Sequence, residues 1–300
     1  MGGFHAATLE AEGAQLRVWD FDPTRATVDT VEDALEGADA VLVATPAPTH
    51  AALVKRCVER RLPVFCEKPL DIDLANTIAL VEFIEDAGGV VQMGFQRRFD
   101  AAFINARTLL RHGNVGRLHA FAMASFDRTL PSEEFVSTSG GMFRDMHIHD
   151  FDSVRWLFGQ EVLEVHATGA VVVDALFGRH DDVDTSAVLL RLADGALGTI
   201  AGGRSNPAGY VARLDVYGFS DSISVREERR YIDFLDRYAE AYRAEIRSFL
   251  ALVRGETEVM CSARDALEAL RVAEAAELSR REMRTVALAE IPTAKAKSAV

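Results

Sequence analysis

The chain has 300 residues, 49% of them hydrophobic and 26% charged, enough for two domains with a real apolar core. Its formal net charge of -13 argues against a nucleic-acid partner, which needs clustered cations, and matches an anionic membrane surface poorly. A neutral or cationic small molecule, or a cofactor held mainly by backbone amides, suits such a balance better.

Cys57, Cys66 and Cys261 are the three cysteines, and none belongs to a CxxC pair, as expected of reduced thiols in a cytoplasmic protein. No apolar run reaches the roughly 18 residues that span a bilayer, and the first residues lack the basic-then-apolar pattern of a signal peptide.

The chain opens Met1-Gly2-Gly3-Phe4-His5, and Ala6–Glu12 reads as a helix capped by Gly13. Leu16–Asp20 reads as a strand ending in an acid, and a helix starts near Val31. Asp39–Thr45 is a continuous apolar run, as in a strand buried on both faces. A helix over Thr49–Arg60, a strand over Pro63–Cys66, a helix over Asp73–Ala87 and a strand over Val90–Gly94 follow. This alternation predicts βαβ units in a doubly wound parallel sheet. After Gly94 the pattern changes. A helix at Ala101–Arg111 precedes a strand at Leu118–Asp127, a polar loop and a helix at Ile148–Leu157. Five strands come next: Glu164–Val173, Ser186–Leu192, Ala196–Ala201, Arg213–Tyr217 and Ser222–Val225. Asp194-Gly195 marks a hairpin, so the second sheet is expected to be open and mainly antiparallel. Helices at Arg237–Arg254 and Ala263–Glu282 close the chain. The expected organisation is a dinucleotide-binding domain at 1–96, a substrate-binding and oligomerisation domain at 97–284 with last helices able to pack back on the first, and a tail at 285–300.

A dinucleotide-binding domain normally begins with a strand, a glycine-rich turn and a helix. The strand and the first two glycines of a GxGxxG turn have no counterpart ahead of Gly2-Gly3, which would sit at the helix N-terminus. The expectation is that the sequence as given begins too late, or that the domain is remodelled and binds its cofactor weakly. Asp20 nonetheless closes the next strand, where an acid takes the adenosine ribose hydroxyls.

Two stretches carry chemistry. Cys66-Glu67-Lys68-Pro69-Leu70 puts a lysine at the carboxyl end of a strand, the edge where open α/β sheets bind ligands. Its plainer reading is a solvated Glu–Lys turn. In Gly140-Gly141-Met142-Phe143-Arg144-Asp145-Met146-His147-Ile148-His149-Asp150, one helix holding both Asp145 and His149 would set them four residues apart on one face. A carboxylate there can orient a general-base imidazole and steady its cation; the plainer reading is an acid-rich helix start. His147 and His149 with Asp150 or Asp152 invite a zinc-hydrolase reading, but helix positions two apart diverge by about 200° and no HExxH exists, so no metal is expected.

Together, Glu67-Lys68-Pro69, the segment Gly94-Phe95-Gln96-Arg97-Arg98-Phe99-Asp100, and Gly140-Gly141…Asp145-x-x-x-His149-Asp150 resemble the Gfo/Idh/MocA oxidoreductases, within them the inositol 2-dehydrogenase branch. The resemblance runs from about Gly2 to Glu282. It implies an N-terminal Rossmann domain, a C-terminal α/β domain and NAD, rather than NADP, as cofactor. It also implies a polyol or sugar substrate, most simply an inositol, and a homotetramer or dimer. Lys68, Asp145 and His149 match the catalytic residues of the family. Gly2, Asp20, Thr45, Pro46, His50, Glu67 and Lys68 match its cofactor-binding positions, and Arg98 and Tyr210 its substrate contacts. The segment between Asp20 and Val31 is shorter than in the family, and His147 stands where a small polar residue is expected. Two other functional readings remain at this stage: a truncated, catalytically impaired relative acting as a binding or oligomeric protein, and a metal-dependent hydrolase.

Overall fold

The computed structural model describes residues 1–295. The chain divides into two compact units. One comprises Met1–Gln96, Tyr242–Leu267 and the residues from Ala294; the other comprises Arg97–Ala241 and Glu268–Thr293.

The first unit opens with α1, Gly2–Ala11, longer than the expected Ala6–Glu12 because the amides of Phe4 and His5 both close a turn on the Met1 carbonyl. A short helix, α2 (Val31–Leu35), starts with a Thr30–Asp33 capping box. Then come β1 (Val41–Val43), α3 (His50–Glu59), β2 (Val64–Glu67), α4 (Leu74–Asp86, capped by Asp73) and β3 (Val91–Gly94). The strands form one parallel sheet in the order β1-β2-β3, in register at Val41, Val64 and Val91. Phe65, Leu9, Ile246 and Phe249 make a core on one side, with Leu16 and Leu42 packed at its edge.

Leu16–Asp20 is not a strand, contrary to its apolar pattern. A strand exists only through a neighbour's backbone, and this segment has no sheet partner among the described residues. Val18 instead takes the Thr27 and Val28 amides on its carbonyl and gives its own amide to the Thr27 hydroxyl. Alternating or continuous apolarity reports burial, and Leu16 is indeed partly buried, but it does not report pairing.

The second unit runs through α5 (Ala101–Arg111), β4 (Leu118–Phe126), α6 (Glu133–Thr138), α7 (Met142–Asp145), α8 (Ile148–Phe158), β5 (Val162–Ala170), α9 (Leu176–Arg179), β6 (Thr185–Leu192), β7 (Leu197–Gly203), β8 (Val211–Gly218) and β9 (Ser222–Val225). The long helices α10 (Phe234–Val253) and α11 (Ala263–Glu282) follow, and β10 (Val286–Ala287) ends the sheet. Seven strands pair in the order β10-β5-β6-β7-β4-β8-β9, all antiparallel except β4 against β7. Residues expected to form a tail at 285–300 therefore join the sheet in part. Val286 and Ala287 pair with Val165 and Glu164, because the edge of β5 presents backbone groups that need partners. Residues 296–300 of that expected tail lie outside the described residues. The boundary between units falls inside both α10 and α11.

Candidate active site

In the first unit the chemistry-bearing residues gather at the carboxyl ends of the parallel strands. Glu67 is the last residue of β2, and Lys68 follows it, joined to Pro69 by a cis peptide bond. Thr45 and Pro46 follow β1. His50, the first residue of α3, is buried and ties these two strand ends together. One ring nitrogen lies 2.7 Å from the Pro69 carbonyl oxygen and the other 2.7 Å from that of Thr45. His50, expected against the cofactor, thus has both nitrogens engaged by backbone and holds the loops that carry Thr45, Pro46 and Lys68. The Thr45 and Thr49 hydroxyls are 2.7 Å apart, and Thr49 donates to the Pro46 carbonyl, which stiffens the same loop.

Gly2 stands at the N-terminus of α1 against the end of β1, where an added Cβ would come within 3.8 Å of Ala44. No side chain caps that helix start. Uncapped first-turn amides at a strand end suit a pyrophosphate, so the residues present fit a dinucleotide. Asp20 is half-buried and accepts the Asp22 amide at 2.9 Å.

In the second unit the expected Asp145–His149 helix is broken. α7 ends at Asp145 and α8 starts at Ile148, so the two residues belong to consecutive helices, not to one face of a single helix. The cause is His147. Its ring is wholly buried, with one nitrogen 2.7 Å from Asp150 Oδ2 and the other 2.7 Å from the Ser186 hydroxyl on β6. Gly202 on β7 makes room, since a Cβ there would lie 2.4 Å from the imidazole. His147 therefore fills the domain core, at a position where a small polar residue was expected.

Asp150 is the hub of this buried network. It also accepts Arg97 at 2.5 Å and the Ser125 hydroxyl at 2.7 Å. Burial by itself would raise its carboxyl, but the Arg97 charge and the His147 contact outweigh that and hold it well below the usual carboxylate range. Asp145 is anchored by Arg204, 2.8 Å away, which also reaches Asp127 at 3.3 Å. His149 is half-buried near the start of α8, and its carbonyl accepts the Ser153 hydroxyl.

Arg98, expected to contact substrate, is buried instead with its guanidinium gripping Asp152 through Nε and Nη2 at 2.6–3.2 Å. Such a pair is committed to the domain interior. Tyr210 is buried beside Tyr238, its ring 6.2 Å away, and burial pushes its phenol far above the usual value. Arg204 and Ser186 carry no motif and were not legible as site residues; each meets its partner from a distant part of the chain, Asp145 and His147 respectively.

A three-stranded parallel unit with ligand-ready strand ends, joined in sequence to an open, mixed sheet, defines a class of two-part dehydrogenases. The chain belongs to the Gfo/Idh/MocA oxidoreductase family. Residues 7–95 match its NAD-binding Rossmann fold and residues 103–224 match its C-terminal domain. The chain is 35% identical over 279 residues to an inositol 2-dehydrogenase of Rhizobium meliloti strain 1021, covering 88% of this chain and 84% of that protein. The fold superposes on a probable dehydrogenase from Thermotoga maritima with a TM-score of 0.92, 34% identity and 97% of each chain covered. It also matches a Lactobacillus casei scyllo-inositol dehydrogenase bearing bound NAD(H) and scyllo-inositol, with a TM-score of 0.80, 25% identity, and 87% and 84% of the two chains covered.

Proposed function

We propose that this chain is an inositol 2-dehydrogenase, oxidising a ring carbinol of an inositol to the ketone with NAD. The observation that carries the reading is the similarity of this chain, over nearly its whole length, to inositol dehydrogenases, in a sequence that sets Lys68 just past β2 and Asp145 and His149 on the consecutive helices α7 and α8. NAD supplies the hydride acceptor. Lys68 holds the reacting oxygen and offsets the charge that grows on it. His149 takes the hydroxyl proton as general base. Asp145, fixed by Arg204, steadies the imidazolium that results. Gly2, Thr45 and Pro46 position the dinucleotide, while His50, and Glu67 buried against His5, act through the strand ends they hold. Asp20 accepts the ribose hydroxyls and repels a 2′-phosphate, which selects NAD over NADP. Tyr210 stands at the substrate side; Arg98 has no part in it.

We further infer a cytoplasmic homo-oligomer, most simply a tetramer. All three cysteines are free and buried. Among the described residues, no helix is long and apolar enough to cross a membrane. One face of the seven-stranded sheet exposes Leu189, Leu197 and Tyr217, each about half accessible. Open sheets of this kind are covered by a second copy.

The experiment is a scan of inositols and aldoses with NAD and NADP, following reduced cofactor. Inositols with NAD should be the productive combination. Equal turnover with NADP would remove Asp20 from its role, and turnover only on aldoses would move the substrate class.

A further inference from the structure

Glu245, on α10, has a wholly buried carboxylate, and neither of its oxygens has a hydrogen-bond partner. A buried charge in that state costs several kcal/mol, so something must compensate it. Beside it lie His5 on α1 and Glu67 at the end of β2, both buried. One ligand atom from each of the three residues sits within 4.8 Å of the others. His5 Nε2 is 2.6 Å from Glu67 Oε1, while His5 Nδ1 is buried without a partner. All three residues belong to the first unit.

A proton alone does not complete this cluster. Burial, reinforced by the charge of Glu67, pushes the Glu245 carboxyl well above the usual range. Protonation would cancel its charge, yet it would leave the buried His5 Nδ1 without a partner. Two carboxylates and a neutral imidazole carry two negative charges, which one divalent cation neutralises while using the lone pairs of all three groups. Nitrogen and oxygen ligands held about 2.0–2.2 Å from zinc lie roughly 3–4 Å from one another, so the 2.6 Å contact between His5 and Glu67 opens slightly to admit the ion while the cluster keeps within its 4.8 Å span.

We propose that His5, Glu67 and Glu245 bind one divalent transition-metal cation, of the zinc or manganese class. The cation ties α1 and α10 to the end of β2. The Lys68 amide donates to Glu67 Oε2 at 3.2 Å, so the same cation fixes the strand end that carries Lys68. Because its ligands must be deprotonated, occupancy falls in acid.

The test is metal analysis of the untagged protein, followed by melting of chelator-stripped samples with and without added Zn²⁺ or Mn²⁺. Wild type should carry about one equivalent per chain, and Glu245→Gln less than a tenth of that. Adding either cation should raise the melting temperature of stripped wild type and leave Glu245→Met unmoved. Glu245→Met removes an uncompensated buried charge, so it should melt above stripped wild type and serve as a folded control. The proposal is overturned if wild type holds no metal and does not respond to either cation, which leaves a trapped proton as the compensation. Metal retained by Glu245→Gln overturns it equally, because the cation is then elsewhere.

Discussion

Lys68 and Asp150 separate the two jobs that charged side chains do in this molecule. Lys68→Met keeps the aliphatic stem and removes the charge. Turnover should fall by about 10²–10⁴ while the urea midpoint stays in place; a loss smaller than tenfold would take Lys68 out of the chemistry. Asp150→Asn does the reverse. It strips the counter-charge from buried Arg97, and should cost about 3–5 kcal/mol in urea unfolding. Asp150 titrates below its unfolded value of about 3.9, so its contribution is complete above that pH and drains away as the pH falls further. The stability gap between wild type and Asp150→Asn should therefore be constant near neutrality and close in acid; a gap that widens in acid contradicts the assignment. Lys68 was legible because its motif is contiguous, Glu67-Lys68-Pro69. The Asp150 network was not, since Arg97, Ser125 and Ser186 reach it from three distant segments.

At the scale of elements, the split between α7 and α8 was hidden for the same reason. Four-residue spacing put Asp145 and His149 on one helix, but His147 is drawn into the core by Asp150 and by Ser186, 39 residues away, and the helix breaks around it. Gly202→Ala tests this dependence. Its Cβ would lie 2.4 Å from the His147 ring with no flexible chain end to yield, so overpacking should cost roughly 1–3 kcal/mol. Because His147 immediately precedes α8, two residues before His149, kcat should drop with it while the dissociation constant for NADH, measured by fluorescence, stays unchanged; unaltered kcat and stability would show that the ring has slack. The parallel strands β1 to β3 were readable from their apolar runs, within a residue or two at their ends. Leu16–Asp20 and Val286–Ala287 were misread in opposite directions, because pairing partners and not composition decide whether an extended segment is a strand.

For the whole molecule, the open sheet and the paired chemistry give separate claims. The exposed Leu189, Leu197 and Tyr217 surface predicts an oligomer at micromolar concentration. Light scattering should return a multiple of 32.8 kDa, and charged residues at Leu189 and Leu197 should split it; a monomer in wild type would refute the surface. The central claim is hydride transfer from an inositol carbinol, and it is tested most directly with inositol deuterated at the carbinol carbons. The account predicts that the deuterium appears on C4 of the reduced nicotinamide, with a ketone formed in equal amount and a slowed single turnover. No reduced cofactor, or reduced cofactor free of deuterium, would contradict it.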